Sequence, residues 1–302
     1  MVGSPLPTMA RYSAGFCCHA LFPHGSVGPM QHVALVTGAS SGIGAATVRA
    51  FLAAGFTVYA AARRVERMDG LAHDGARLLA LDVTDDASLT DGVRKVLAEA
   101  GRIDVLVNNA GYGSYGSLEE VPLEEGRRQF EVNVFGLARL TQLVLPGMRE
   151  RRSGTIVNVS SMGGQFYEPL GSWYHATKFA VEGLSDSLRI ELRPFGVRVI
   201  VVQPGSIRTE WSGIARESLL AVSGSGPYAK NARRVAGVMK TADRPGLGSP
   251  PEAVADVIVE AVQSSRPAPR YRVGAGAKPL LALRKVLPDR AFDLIVRAVY
   301  RH

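Results

Sequence analysis

Along the chain, short runs of β-branched and aliphatic residues alternate with longer windows whose apolar positions recur every three or four residues. The short runs are Val33–Thr37, Thr57–Ala62, Leu78–Leu81, Ile103–Val107, Thr155–Val159 and Val197–Val202, with Tyr271–Val273 as a last one. Unbroken apolar runs of this length suit strands buried on both faces. The helical windows between and after them are Ala45–Ala54, Ser88–Ala100, Leu123–Glu150, Trp173–Glu191 and Glu252–Gln263. Pro146 is expected to bend or end the third window, and Pro250-Pro251 suits the start of the last. Strands alternating with helices imply an α/β fold: a single domain built on a parallel sheet with helices on both faces.

Two stretches depart from this rhythm. Ser206–Gly248 has scattered apolar residues and no clean period, so a lid over a binding site is expected there. Leu280–Tyr300 reads as a helical tail interrupted at Pro288, with Arg284, Lys285, Arg290 and Arg297 among apolar residues. A membrane surface is open to such a tail, but docking on its own fold or on a neighbouring subunit is the favoured expectation. The resulting division is an extension over 1–30, a catalytic domain over 31–277 with its lid at about 206–248, and the tail over 278–302. The first segment lacks the basic-then-apolar layout of a secretory signal, and is expected to be a disordered arm or an extension ahead of a start at Met30.

The first strand leads straight into Gly38-Ala-Ser40-Ser41-Gly42-Ile43-Gly44 and then a helix. Strand, glycine turn and helix in that order let backbone N–H groups face a diphosphate at a helix N-terminus. Further along, Tyr174 and Lys178 stand four apart in a helical window, one turn from each other on one face. A phenol titrates near ~10, too high for easy proton exchange at neutral pH; a neighbouring ammonium is expected to lower it. Such a pair can trade a proton with an alcohol or carbonyl oxygen. Ser161 follows the fifth strand, at the sheet edge where a parallel sheet places its ligand crevice. Its hydroxyl is placed to hold the reacting oxygen, and Asn133 to orient a water or backbone group serving Lys178. Each has an ordinary alternative: a tight connection for the glycines, a surface pair for Tyr174 and Lys178, a cap for Ser161, a helix-interior polar residue for Asn133.

Composition adds little that is specific. Thirty-five Lys and Arg against 27 Asp and Glu give a net charge of +8, which permits anionic partners without choosing one. The basic residues are dispersed and form no recognised nucleic-acid motif, which argues against a nucleic-acid binder. Cys17 and Cys18 are the only cysteines. Adjacent, and without a surrounding ligand set, they make neither a disulfide framework nor a metal site; they suit a reducing compartment or are simply indifferent to it, and a cytoplasmic setting is expected. No apolar run reaches the ~18–20 residues of a membrane-spanning helix.

Taken together, Thr37-Gly38-Ala-Ser-Ser-Gly42-Ile-Gly44, Asn108-Asn109-Ala110-Gly111, Asn133, Ser161, Tyr174-xxx-Lys178 and Pro204-Gly205 resemble the short-chain dehydrogenase/reductase family, from about Gln31 to about Ala277. The resemblance implies a Rossmann-type, doubly wound sheet, a nicotinamide cofactor and reversible alcohol–carbonyl oxidoreduction. It further implies that Tyr174 donates or accepts the proton, Lys178 holds the nicotinamide ribose and depresses the tyrosine, Ser161 polarises the substrate oxygen, and Asn133 completes a proton relay through water. Asp82 and Val83 would meet the adenine, Asn109, Ala110 and Gly111 the adenosine side, and Pro204, Gly205, Ile207 and Thr209 the carboxamide region. At the end of the second strand Arg63 and Arg64 stand where a carboxylate would bind a free ribose 2′-hydroxyl. A guanidinium there suits a 2′-phosphate, so NADP(H) is preferred to NAD(H).

For the substrate, Trp211, Ile214, Leu219, Leu220, Tyr228, Val235 and Met239 are expected to form an apolar cover, with Gly113, Tyr115, Phe166 and Tyr167 on the opposite rim. The expected small-molecule substrate is then a medium or large hydrophobic alcohol or carbonyl compound, such as a steroid, retinoid or fatty compound, in the manner of the 17β-hydroxysteroid and retinol dehydrogenases that the run from Phe179 resembles. The two long helical windows correspond to surfaces by which family members form homodimers and homotetramers. An epimerase or dehydratase on the same scaffold, or a nucleotide-sensing regulator, are the rivals. The absence of an added sugar-nucleotide domain speaks against the first, and the full set of Asn133, Ser161, Tyr174 and Lys178 against the second.

Overall fold

The computed structural model describes residues 31–242, 244 and 247–300; the expected N-terminal arm lies outside them. In chain order the elements are β1 Val33–Thr37, α1 Gly42–Ala53, β2 Thr57–Ala62, α2 Asp69–His73, β3 Arg77–Ala80, α3 Asp86–Ala100 and β4 Val105–Asn108. There follow α4 Leu123–Phe130, α5 Gly136–Glu150, β5 Gly154–Val159, α6 Ser172–Leu192 and β6 Val197–Pro204. The chain closes with α7 Glu210–Ser223, α8 Ala229–Ala242, α9 Glu252–Gln263, β7 Arg270–Val273, α10 Ala277–Val286 and α11 Asp289–Tyr300.

The seven strands form one parallel sheet in the order β3-β2-β1-β4-β5-β6-β7. The two-residue period of a strand sends alternate side chains to opposite layers. Ala34, Val36, Val58, Ala60, Val107 and Val157 meet Val48 and Phe51 of α1 and Val254 and Ile258 of α9. Their neighbours Val33, Leu35, Tyr59, Leu106 and Ile156 meet Leu89 and Val93 of α3 and Leu140, Val144 and Met148 of α5. Burial on both faces is what made each strand read as an unbroken apolar run. The order reverses between β1 and β4, and at such a switch point the crevice opens at the carboxyl ends of the strands. Register brings Val36 beside Val107, Asn108 beside Asn158 and Val159 beside Val202, so the strands end at one level.

Two expectations about helices need correction. The window Leu123–Glu150 is not one α-helix ended by Pro146. It contains a π-helical turn, Glu131–Phe135, in which the Gly136 N–H donates to the Glu131 carbonyl five residues back. Pro146 instead sits inside α5. Pro146 and Gln142, whose carbonyl loses its helical partner, are both exposed, while buried Leu140, Val144 and Met148 carry the helix past the proline. The stretch 206–248 is not aperiodic either: it holds α7 and α8, joined by the Ser223–Gly226 run. Trp211, Ala215 and Leu219 repeat at four residues, and Ala232, Val235, Ala236 and Met239 at helical spacing; together they bury one apolar stripe. The tail forms α10 and α11, separated at Pro288. Phe292 and Tyr300 of α11 are buried, and Tyr167 donates a 2.8 Å hydrogen bond to Asp293, so the tail docks on its own chain. Among the described residues no helix is long and apolar enough to cross a membrane.

Candidate active site

The turn after β1 depends on glycines at two points. Gly38 and Gly42 have φ of 66° and 53°, in the left-handed region that other residues avoid. Gly44 has an ordinary φ but no room: a Cβ would lie 2.2 Å from the Gly38 carbonyl oxygen and 2.7 Å from Asn109 Nδ2. Asn109 is the clamp, its Nδ2 donating to the Thr37 carbonyl at 2.9 Å while Thr37 Oγ1 accepts the N–H groups of Asn109 and Ala110, each at 3.1 Å. The ends of β1 and β4 are thereby locked together. Ser41 at the N-cap makes no side-chain cap bond, and the first turn of α1 has no acidic residue. The amino end of α1 therefore keeps open N–H groups and positive dipole for a diphosphate.

Beyond β5, Ser161 adopts an extended backbone and its Oγ accepts the Gly163 N–H at 3.0 Å. Ser161 also acts on the Tyr174 phenol, pulling its pKa down. Tyr174 projects from the first turn of α6, which starts after Leu170, a non-glycine residue held at φ 64°. The Leu170 carbonyl accepts the Gly116 N–H at 2.8 Å, pinning that bend to the loop opposite. One turn on, Lys178 Nζ donates to the Val159 carbonyl at 3.0 Å. Ser161, Tyr174 and Lys178 share one cleft of about 360 Å³ with Gly38, Ser41, Gly42, Ile43, Asn109, Ala110, Gly111, Pro204, Gly205, Ile207 and Thr209.

The other expected site residues, Ser40, Gly44, Arg63, Arg64, Asp82, Val83 and Asn133, are not among those that line this cleft. Ser40 and Gly44 belong to the turn behind it. Arg63 and Arg64 are exposed just past β2, and their side chains make no ion pair or hydrogen bond among the described residues. Asp82 accepts from Thr84 N–H at 2.9 Å and from its hydroxyl at 2.8 Å. Burial opposes ionisation of Asp82, but those bonds and the charges of Arg63 and Arg128 hold its carboxyl below the usual range. Val83 packs its carbonyl against α5, so close that a Cβ on Gly136 would lie 2.3 Å from it.

Asn133 sits in the π-helical turn and does not bond Lys178. Its Oδ1 accepts the Tyr112 N–H at 3.0 Å, and its Nδ2 donates to the Tyr112 carbonyl at 2.9 Å and to Thr177 Oγ1 at 3.0 Å. Both amide hydrogens are thus used in tying the loop after β4 to α6. Lys178 lies just beyond, 3.8 Å from where a Cβ on Gly111 would stand.

The electrostatics differ from the expectation that Lys178 depresses Tyr174. Burial dominates and raises Tyr174 above the ordinary tyrosine value; the Ser161 hydrogen bond lowers it and the Glu168 charge raises it further. Burial also pushes Lys178 down to about 8, against the pull of Glu182. Burial disfavours the charged form of either residue.

The apolar cover is assembled only in part. Trp211, Ile214, Met239, Tyr115 and Phe166 line the cleft. Trp211 lies with its ring 5.0 Å from that of Tyr174, tilted by 52°, and packs on Gly113, where a Cβ would be 2.5 Å away. Leu219 and Val235 instead bury inside the lid. Leu220 is largely exposed, Tyr228 donates to Glu119 on the surface at 2.7 Å, and Tyr167 turns to α11. Unforeseen were Glu168, His175 and Tyr300, all lining the cleft. His175, directly after the tyrosine, is the one that position alone could have flagged.

Fold and site together define a dinucleotide-binding oxidoreductase. The profile of the short chain dehydrogenase family matches residues 32–219, and the chain belongs to that family. It is 36% identical to the 3-ketodihydrosphingosine reductase of Bacteroides thetaiotaomicron, over 89% of this chain and 97% of that one. To the NADPH-dependent 3-dehydrocapnine reductase of Ornithobacterium rhinotracheale it is 35% identical, over 87% and 95% respectively. Among solved structures, a short-chain dehydrogenase from Streptomyces avermitilis superposes with a TM-score of 0.75 at 39% identity, over 91% of this chain and 98% of that one.

Proposed function

We propose that the cleft interconverts a hydrophobic ketone or aldehyde and its alcohol, as the substrate step of an NADP(H)-dependent oxidoreductase. One observation carries this reading: Ser161 and Tyr174 lie in the same cleft as the glycine turn and Lys178. The chain fits the dinucleotide on its own evidence. The space a Cβ on Gly44 would take is closed by backbone, the amino end of α1 is open, and Arg63 and Arg64 are uncommitted beside the end of β2. The NADPH-dependent relative supports choosing the phosphorylated form, with NAD(H) as the less favoured alternative.

When bound, the nicotinamide supplies or takes up the hydride. The rest is done by this chain. Ser161 donates to the substrate oxygen and fixes it beside Tyr174; in reduction, Tyr174 gives its phenolic proton to that oxygen as negative charge develops there. Lys178 holds the cofactor ribose and stabilises the phenolate left behind. Asn133 sets the positions of Tyr112 and Gly111 next to Lys178. Trp211, Ile214 and Met239 exclude water and hold an apolar substrate, in the size range of a steroid, retinoid or fatty chain. The reductases named above support the reducing direction. On the outer side, exposed Phe135 and Phe179 support a second copy covering the α5–α6 face in a homo-oligomer.

Tyr174→Phe removes only the hydroxyl. Turnover of a hydrophobic ketone, followed by loss of NADPH absorbance, is expected to fall by about 10²–10⁴-fold, while NADPH affinity by fluorescence titration stays within about twofold. A variant that keeps its turnover would refute the assignment of the proton donor.

A further inference from the structure

The cleft contains one carboxyl group that the proton transfer does not use. Glu168 lines it near Tyr174, with its side chain 14% exposed. Tyr115 donates its hydroxyl to Oε1 at 2.7 Å, and Tyr300, at the end of α11, donates to Oε2. Burial first, then the Glu168 charge, pushes both phenols above the ordinary tyrosine value, so both serve as donors. His175 Nε2 is 3.9 Å from Oε1. Yet that nitrogen accepts the Glu168 backbone N–H at 3.2 Å while Nδ1 faces the Gly163 carbonyl at 2.8 Å. This pairing needs a neutral ring with its proton on Nδ1. Among the described residues no Lys or Arg lies within ion-pairing distance of Glu168.

The phenols occupy about two of the roughly four lone-pair directions of a carboxylate. The rest is open to a ligand in the cleft that Glu168 lines, and among the described residues no Lys or Arg pairs with it. A buried charge is costly unless paired. We propose that the substrate supplies the partner: Glu168 receives an ammonium group that the substrate carries within a few bonds of its carbonyl. The substrate class is then an aliphatic amino ketone, or the amino alcohol formed from it. The spacing follows from Tyr115, whose hydroxyl touches Glu168 while its ring lies 5.6 Å from that of Tyr174. Tyr115 thus links the carboxylate to the ring of the tyrosine that exchanges the proton, and the Glu168 charge is near enough to act on that phenol. The apolar part of the substrate lies against Trp211, Ile214 and Met239.

This inference rests on the reading of the cleft as a carbonyl site, and the test separates the two. Two aliphatic ketones, identical except for an ammonium on the carbon next to the carbonyl, are reduced by the full chain with NADPH. The wild type is expected to favour the amino ketone by at least about tenfold in kcat/KM, the effect of one charge-assisted hydrogen bond, chiefly through KM. Glu168→Gln is expected to lose that preference while its NADPH affinity and unfolding temperature stay at the wild-type values. Tyr300→Phe, which cuts one tie to α11 and leaves the carboxylate, is expected to keep it. Equal use of both ketones by the wild type, or a preference that survives Glu168→Gln, overturns the inference and leaves the carbonyl site standing. If Tyr300→Phe abolishes the preference as fully as Glu168→Gln, Glu168 is a strut for α11 and the inference falls. If neither ketone consumes NADPH, the reading of the cleft fails and takes the inference with it.

Discussion

Replacing Gly44 by alanine adds one methyl group where the β1–α1 turn has no room. The new Cβ would stand 2.2 Å from the Gly38 carbonyl oxygen and 2.7 Å from Asn109 Nδ2. Favourable contacts between carbon atoms lie at about 3.5–4.0 Å, so the turn must open by more than the play of one side chain. The first obstacle is backbone, and the second is the amide that clamps β4 to β1, so neither swings aside alone. Forced overpacking of this kind costs about 1–3 kcal/mol, and whatever part falls on the diphosphate site weakens binding by up to roughly 150-fold. The expected result is NADPH affinity reduced on the order of tenfold or more, with a lower unfolding temperature. Gly237→Ala is the internal control. Gly237 is exposed in α8 with nothing within 4 Å of a built Cβ, and alanine in a helix interior gains about 0.5–1 kcal/mol over glycine. That variant is expected to bind NADPH normally and to unfold about 1–3 °C higher. Fluorescence titration and thermal unfolding of both proteins decide the matter. Wild-type affinity and unfolding temperature in Gly44→Ala would refute the reasoning from space.

Arg63→Ala with Arg64→Ala is expected to weaken NADPH by roughly 10- to 100-fold, the worth of charge-assisted hydrogen bonds to a phosphate, and to leave NADH within about twofold; equal losses for both cofactors would sink the 2′-phosphate assignment. Lys178, held at about 8 by burial, is an ammonium below that pH and neutral above it. For carbonyl reduction kcat/KM is therefore expected to be level up to about 8 and to decline above it. A profile level through pH ~10 would show that the ammonium is not needed.

The strands were the most legible part of the chain because burial on both faces leaves a continuous apolar signal, and its short length and β-branched residues separate it from a buried helix. Glu252–Gln263 was legible for a similar reason, since Pro250-Pro251 marks its start and its stripe is regular. Glu131–Phe135 was not, because a π-helical turn costs one register step and leaves no mark in apolar spacing. It also sets Asn133, which was legible as a candidate, in a place no local pattern reveals: its bonds go to Tyr112 and Thr177. The lid helices carried a readable repeat at 211, 215 and 219, but the glycines and serines around it diluted the period. Glu168 was invisible on physical grounds. Its partners Tyr115 and Tyr300 are 53 and 132 residues away along the chain, and only the folded tail brings them to one carboxyl group.

Spacing on a helix correctly made Tyr174 and Lys178 neighbours, but proximity alone did not give the sign of the tyrosine's shift. Both groups are buried, and desolvation moves them in opposite directions, the phenol up and the ammonium down. Each change favours the uncharged form. With Glu168 adding negative charge nearby and Ser161 alone lowering the phenol, the chain by itself holds Tyr174 as a protonated acid throughout the neutral range. That state is what reduction requires, because the phenol must arrive carrying the proton it gives away. Oxidation needs the phenolate, and so gains from any positive charge that adds to that of Lys178 as the proton leaves. The proposed ammonium on Glu168 would supply some of it: by neutralising a carboxylate that raises Tyr174, a cationic substrate would ease ionisation of the phenol at the moment it is used. Substrate recognition and proton transfer would then act through the same few side chains rather than through separate parts of the cleft.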